Sequence, residues 1–126
     1  MRSRSVLIVD DNPLIRKVLC EALTREGDFE ICGEAHDGRD AIEKAQLLRP
    51  ALIIMDLSMP VLNGLEATRR LKKLMASVPV IILSIHDAVA IAREAAAAGA
   101  AAVVSKSDSV TVLIGKAREV IERAAA

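Results

Sequence analysis

Ala51-Leu52-Ile53-Ile54-Met55-Asp56 is a run of five apolar residues that stops on a carboxylate, and Leu57-Ser58-Met59-Pro60 follows it directly. A short apolar run rich in branched residues and closed by turn chemistry reads as a strand covered on both faces, as in a parallel sheet. In an open α/β sheet the carboxyl ends of the strands look onto a shared crevice. An aspartate at that end is offered to ligands, while the residues before it fill the core.

Ser5-Val6-Leu7-Ile8-Val9 is a second strand of this kind, and it too runs into acid, Asp10-Asp11. Asn12-Pro13 supplies an N-cap and a suitable first helical residue, and Leu14, Val18, Ala22 and Leu23 recur at helical spacing until Gly27. That spacing predicts a buried face made of those four. Phe29 to Ala35 reads as a strand near an edge, because Glu30 and Glu34 interrupt it. Gly38 opens a helix with Ala41, Ile42, Ala45 and Leu48 on one face, stopped at Pro50.

Beyond the central stretch, Asn63-Gly64 precedes a third helix with Leu65, Thr68, Leu71, Lys72 and Met75 along it. Val80 to Leu83 is a fourth strand ending at Ser84. An alanine-dominated helix from Ala88 to Ala98 closes at Gly99, a C′ glycine. Ala101 to Val104 is a fifth strand leading to Ser105-Lys106. The last helix is expected to be capped at Ser107 or Asp108 and to bury Val110, Leu113, Ile114, Ala117 and Ile121. Five strands alternating with five helices on short loops predict an α/β, flavodoxin-like, doubly wound parallel sheet with strand order 2-1-3-4-5. No linker or repeat divides it, so residues 1–126 are read as a single domain.

Composition narrows the function. Lys plus Arg (17) balances Asp plus Glu (17), so no overall field draws the chain to nucleic acid or an anionic membrane, and direct nucleic-acid binding is not expected. Val6 to Val9 is too short for a signal-peptide core, and no apolar run approaches the ~20 residues of a membrane span. The chain is read as cytoplasmic. With no Trp, no Tyr and a single Phe, it lacks the aromatic groups that stack on bases or flavin rings. Cys20 and Cys32 have no metal-ligand spacing and read as small buried hydrophobes.

Asp10-Asp11, Asp56, Ser84 and Lys106 therefore all fall at carboxyl ends of strands. Carboxylates held side by side raise one another's pKa, and a hard divalent cation relieves the repulsion. Mg²⁺ suits such a site, since it takes few protein oxygens, keeps waters and accepts phosphate oxygens. Carboxylates are competent nucleophiles for making aspartyl phosphates. The ammonium of Lys106 and the hydroxyl of Ser84 suit a phosphoryl group's equatorial oxygens.

Val9-Asp10-Asp11, Met55-Asp56, Met59-Pro60 with Asn63-Gly64, Leu83-Ser84 and Ser105-Lys106 together resemble the signature blocks of the response-regulator receiver domain, the CheY-like phosphoacceptor of two-component phosphorelay signalling. The wording from Asp56 to Arg69, with a Lys106 not followed by proline, is most similar to NarL/FixJ (LuxR-type) receivers. The resemblance implies that Asp56 is the phosphoacceptor, served by a histidine kinase or phosphotransfer protein. It implies Mg²⁺ on Asp11, Asp56 and the Ser58 backbone carbonyl, with Asp10 acting through water. It makes Ser84 and Lys106 the phosphoryl-binding and switch residues, and the chain a self-phosphorylating switch rather than an enzyme acting on other substrates.

Two departures stand out. The position where the family usually carries Tyr or Phe is Val103, whose single stiff χ1 allows no large swing. Such regulators usually continue into a helix-turn-helix domain, so the chain is also readable as a receiver separated from a DNA-binding output. His86, two residues past Ser84, is a candidate modulator lining the phosphoryl pocket, whereas His36 reads as a solvated loop residue. Arg69, Arg70, Lys72 and Lys73 read as a solvated basic face. Val89 and Val112 fall off their helices' buried faces and mark a candidate homodimer surface on the side of the fourth helix, fifth strand and fifth helix. A small aspartyl-phosphate phosphatase is the competing enzyme reading, but it needs a second acid two residues past the nucleophile, where Ser58 stands. No phosphate-cradling glycine loop is present for a flavodoxin-like or nucleotide-binding function.

Overall fold

The computed structural model describes residues 3–85 and 88–125. The apolar runs form β1 (Arg4–Val9), β2 (Phe29–Ala35), β3 (Leu52–Asp56), β4 (Val80–Ser84) and β5 (Ala102–Ser105). Between and after them lie α1 (Pro13–Arg25), α2 (Gly38–Leu48), α3 (Gly64–Leu74), α4 (Ala88–Ala98) and α5 (Val110–Ala125). All strand pairs are parallel, in the order β2-β1-β3-β4-β5. The edge position expected for Phe29–Ala35 holds, with an irregularity in register opposite Val6/Leu7.

Side chains alternate across the sheet, so each central strand feeds two cores. Val6, Ile8, Leu52 and Ile54 meet Leu19 and Leu23 of α1 and Leu113, Ile114 and Ala117 of α5. Leu7, Val9, Ile53 and Met55 meet Ala41 and Ala45 of α2, Ala67 and Leu71 of α3 and Ala95 of α4. Fully burying one such large aliphatic side chain stabilises the fold by about 1.5–3 kcal/mol. Among the described residues no helix is long and apolar enough to cross a membrane.

Several helical details differ from the sequence reading. On α1 the buried stripe is Leu19 and Leu23 with half-buried Ile15, whereas Leu14 and Val18 are 71% and 57% exposed. Both stripes have helical spacing, and the one a residue further along is the one that packs with Leu113, Ile114 and Ala117 of α5. α5 begins at Val110, not after a cap at Ser107 or Asp108. Those residues instead form a turn, with Asp108 N–H donating to Ser105 O at 3.0 Å and the Ser105 and Ser107 hydroxyls 2.7 Å apart. That turn leaves Val110 exposed at the start of the helix, and Val120 joins the core. Cys20 and Cys32 are only half-buried, and burial still pushes the Cys20 thiol up to about 11.

The caps explain where the first three helices begin. The side chains of Asn12, Asp37 and Asn63 accept backbone N–H bonds from Leu14, Asp40 and Glu66 respectively, at 2.8–2.9 Å. α2 ends at Arg49, which takes the left-handed conformation, and α4 ends at Gly99, whose φ of +99° favours glycine.

Candidate functional site

The register brings the polar strand ends to one edge, since Val9 lies beside Met55, Asp56 beside Leu83 and Ser84 beside Ser105. Asp10, immediately past β1, is fully buried and held at every polar atom. Its N–H donates to Ala35 O (3.1 Å) and its carbonyl accepts from Arg16 Nη1 (2.6 Å). Its Oδ1 accepts from Asn12 N–H (2.9 Å), and its Oδ2 lies 3.0 Å from Lys106 Nζ. Asp56, the last residue of β3, is 4% exposed, and its Oδ1 is 2.9 Å from the same ammonium. Lys106 thus bridges two buried carboxylates, and its own N–H donates to Ser84 O at 2.7 Å.

Asp11 completes the cluster from an exposed position. Carboxylate oxygens of Asp10, Asp11 and Asp56 all lie within 4.8 Å of one another. Burial pushes the Asp56 carboxyl above the usual range, the Lys106 hydrogen bond pulls it back, and the charges of Asp10 and Asp11 push it further up. For Lys106, burial pulls the ammonium down, but its bonds to Asp56 and Asp10 outweigh that and hold it above the ordinary lysine value. Three hard oxygen donors with one carboxyl penalised for its charge fit a small divalent cation well.

The floor of the site is fixed by the β3–α3 loop. Leu57 N–H donates to Leu83 O (2.9 Å) and Gly64 N–H to Leu57 O (2.8 Å). α3 starts so close behind Asp56 that a Cβ on residue 64 would stand 2.3 Å from the Asp56 carbonyl oxygen. Between these points Leu62 N–H closes a three-residue turn onto Pro60 O (2.7 Å), with Val61 at φ +69°.

Ser84 is buried at the end of β4, and Ser58 is exposed two residues past Asp56. Val103 is half-buried and packs with the core face that includes Ile91 and Ala95. His86 lies outside the described residues. His36 is mostly exposed, 2.9 Å from Asp40. Val89 and Val112 are exposed as expected. The basic face on α3 is not wholly solvated. Arg69 and Arg70 pair with Glu66, and Lys72 turns inward onto the carbonyls of Ala76 and Val78, with burial lowering its pKa.

Two features escaped the sequence reading. Arg16 looks like any basic residue on an amphipathic helix, and only the fold brings it to Asp10 and to Glu34 at 3.1 Å. An apolar groove of about 290 Å³ runs from Lys106 between α1 and the start of α5, flanked by Leu14, Val18, Val110 and Leu113. The misplaced α1 stripe hid it, because Leu14 and Val18 read as core.

Comparison with known proteins converges on one family. The model of the response regulator receiver domain matches residues 6–118. Chemotaxis protein CheY of Thermotoga maritima is 38% identical over 97 residues, covering 77% of this chain and 80% of that protein. The protein-glutamate methylesterase/protein-glutamine glutaminase of Pyrococcus horikoshii is 45% identical over 83 residues, 66% of this chain but 22% of that protein. The chain thus spans between 22% and 29% of the length of the methylesterases it matches. Among solved structures, the receiver domain of the NarL response regulator from Mycobacterium tuberculosis superposes with a TM-score of 0.91 at 27% identity, covering 97% of this chain and 98% of that one. The response regulator domain of Thermotoga maritima CheB gives 0.87 at 35% identity, covering 96% and 98%. With a matched model over most of the chain and the 2-1-3-4-5 sheet beneath it, this chain belongs to the response regulator receiver domains of two-component signalling.

Proposed function

We propose that the chain is a phosphoacceptor switch in which Asp56 takes a phosphoryl group from the phosphohistidine of a histidine kinase or phosphotransfer protein. The observation that carries this reading is the bridge from Lys106 Nζ to Asp56 Oδ1 (2.9 Å) and Asp10 Oδ2 (3.0 Å) beside exposed Asp11. An Asp56 carboxylate oxygen attacks phosphorus, the P–N bond of the donor breaks, and the imidazole leaves with the bonding pair and is reprotonated.

The chain's residues divide the work. Asp11, Asp56 and the backbone carbonyl of Ser58 are the Mg²⁺ ligands in this reading, with Asp10 acting through water. When bound, Mg²⁺ supplies charge neutralisation for the equatorial phosphoryl oxygens. Lys106 pairs with the incoming group from the other side, and the Ser84 hydroxyl closes on it. Burial of Asp56 keeps competing water sparse. The groove beside Lys106 gives a phosphohistidine-bearing partner an apolar surface adjoining the acceptor. The α4–β5–α5 face, with exposed Val89 and Val112, is the surface whose binding changes, through a homodimer or another partner.

Incubation with Mg²⁺ and acetyl phosphate should yield one acid-stable, alkali-labile phosphoryl group per chain, absent from Asp56→Asn. Phosphate turnover with no stoichiometric phosphoprotein would replace this reading with a hydrolase.

A further inference from the structure

We propose that Arg16 is a positioning residue for the divalent cation, holding the Asp10–Asp11 peptide plane so that the Asp11 carboxylate is aimed into the site. The inference rests on the reading that the three aspartates hold Mg²⁺. The Asp10 carbonyl and the Asp11 N–H belong to one rigid plane. Arg16 Nη1 donates to that carbonyl at 2.6 Å, while Asp10 N–H is tied to Ala35 O on the other side. Asp10's own carboxylate is fixed by Asn12 and Lys106. Asp11 has no comparable restraint. It is exposed, and among the described residues no hydrogen bond or ion pair reaches its carboxylate, so its backbone is the part of this ligand that the fold can hold.

Arg16 is itself held. Its Nε lies 3.1 Å from Glu34 Oε1, its side chain is 19% exposed, and the Glu34 carbonyl accepts from Lys44 of α2. Two contacts in different directions use the planar fork of a guanidinium, which an ammonium cannot reproduce. The plane that carries Asp11 is thereby referred to β2 and α2 as well as to its own helix, and the backbone from which the Asp11 side chain springs is placed before any cation arrives.

Mg²⁺ would be titrated into the full chain and followed by calorimetry and by the backbone amide resonances of Asp11 and Asn12. Arg16→Gln is expected to raise the Mg²⁺ dissociation constant by about tenfold, the lower end of what losing an outer-shell partner costs. Arg16→Lys is expected to recover only part of this. Phosphorylation by acetyl phosphate should need more Mg²⁺ yet reach the wild-type plateau rate, a split that general loosening of the fold would not give. An unchanged dissociation constant in Arg16→Gln, with Asp11→Asn clearly weakened, would overturn the proposal. So would a fall in plateau and thermal midpoint together with no separate change in Mg²⁺ affinity. If Arg16→Gln does not fold, Glu34→Gln decides: a smaller shift in the same direction supports the role, and none overturns it. Full Mg²⁺ affinity in Asp11→Asn would instead overturn the acid-cluster reading, and the positioning role with it.

Discussion

α3 and α4 are both eleven residues long and pack on the same face of the sheet, yet they are fastened by different means. α3 begins on an Asn63 cap, sends the buried Thr68 hydroxyl back to Gly64 O at 2.7 Å, and anchors its last turn by folding Lys72 onto the following loop. α4 buries only Ala95 and Ala98, while Val89 is 81% exposed. Methyl groups against a sheet fix distance but offer little interlocking, since the packing of larger side chains is what resists sliding. The helix behind Asp56 is therefore held in place, and the helix beyond Ser84 is the less costly one to displace. Val103 of β5, half-buried and stiff at χ1, packs on the same core face as Ile91 and Ala95 of α4 and offers no ring that could swing.

The contrast breaks most directly at Gly64. Gly64→Ala drives a methyl against the Asp56 carbonyl and is expected to cost about 1–3 kcal/mol in a denaturant titration. A neutral result would mean that α3 is free to step back, and the distinction from α4 would fall. Native-state hydrogen exchange tests the other side. Mid-α4 amides are expected to exchange about tenfold faster than mid-α3 amides, as suits an element with fewer buried contacts. Equal protection would remove the contrast. Asn63→Ala should destabilise by about 1 kcal/mol through loss of the α3 cap. It should also narrow the exchange gap from the α3 side.

The smallest effect is electrostatic. Because the folded Asp56 carboxyl sits above its ordinary value, its ionised form costs stability at neutral pH, and protonation relieves that cost as the pH falls. Without Mg²⁺, Asp56→Asn is expected to melt above the wild type at pH 7. The gap should close as the pH drops through the raised value and vanish below the ordinary 3.8. Lys106 works with the opposite sign. Its contribution is complete below the ordinary 10.5 and is lost as the pH rises through its higher folded value. A pH-independent gap in the melting series would detach Asp56 from both effects.

Topology and the polar strand ends were legible because they rest on the strongest signals in the chain, short apolar runs that lead directly into Asp10, Asp56, Ser84 and Ser105-Lys106. Helix faces were less so. Leu14-Val18 and Ile15-Leu19 have the same spacing, and only the packing of α5 against α1 chooses between them. The α5 cap was misplaced because Ser107, Asp108 and Ser109 all have capping chemistry, and a turn closed by Ser105 O uses the first two. Arg16 and Lys72 were unreadable for a different reason. A cation whose partner is a backbone carbonyl leaves no matching residue type in the sequence to pair it with.

The loop from Leu57 to Asn63 carries one more consequence. It is bonded to β4 through Leu83 O, to α2 through Gly38 N–H on Leu62 O, and back onto itself at Gly64 and at Pro60. Surface loops ordinarily accept inserted or deleted residues with little penalty. Here one residue more or less would break the register of three elements at once and move the end of β3 relative to the start of α3. The number of residues in this loop is thus under tighter constraint than the identity of several of them, Val61 included.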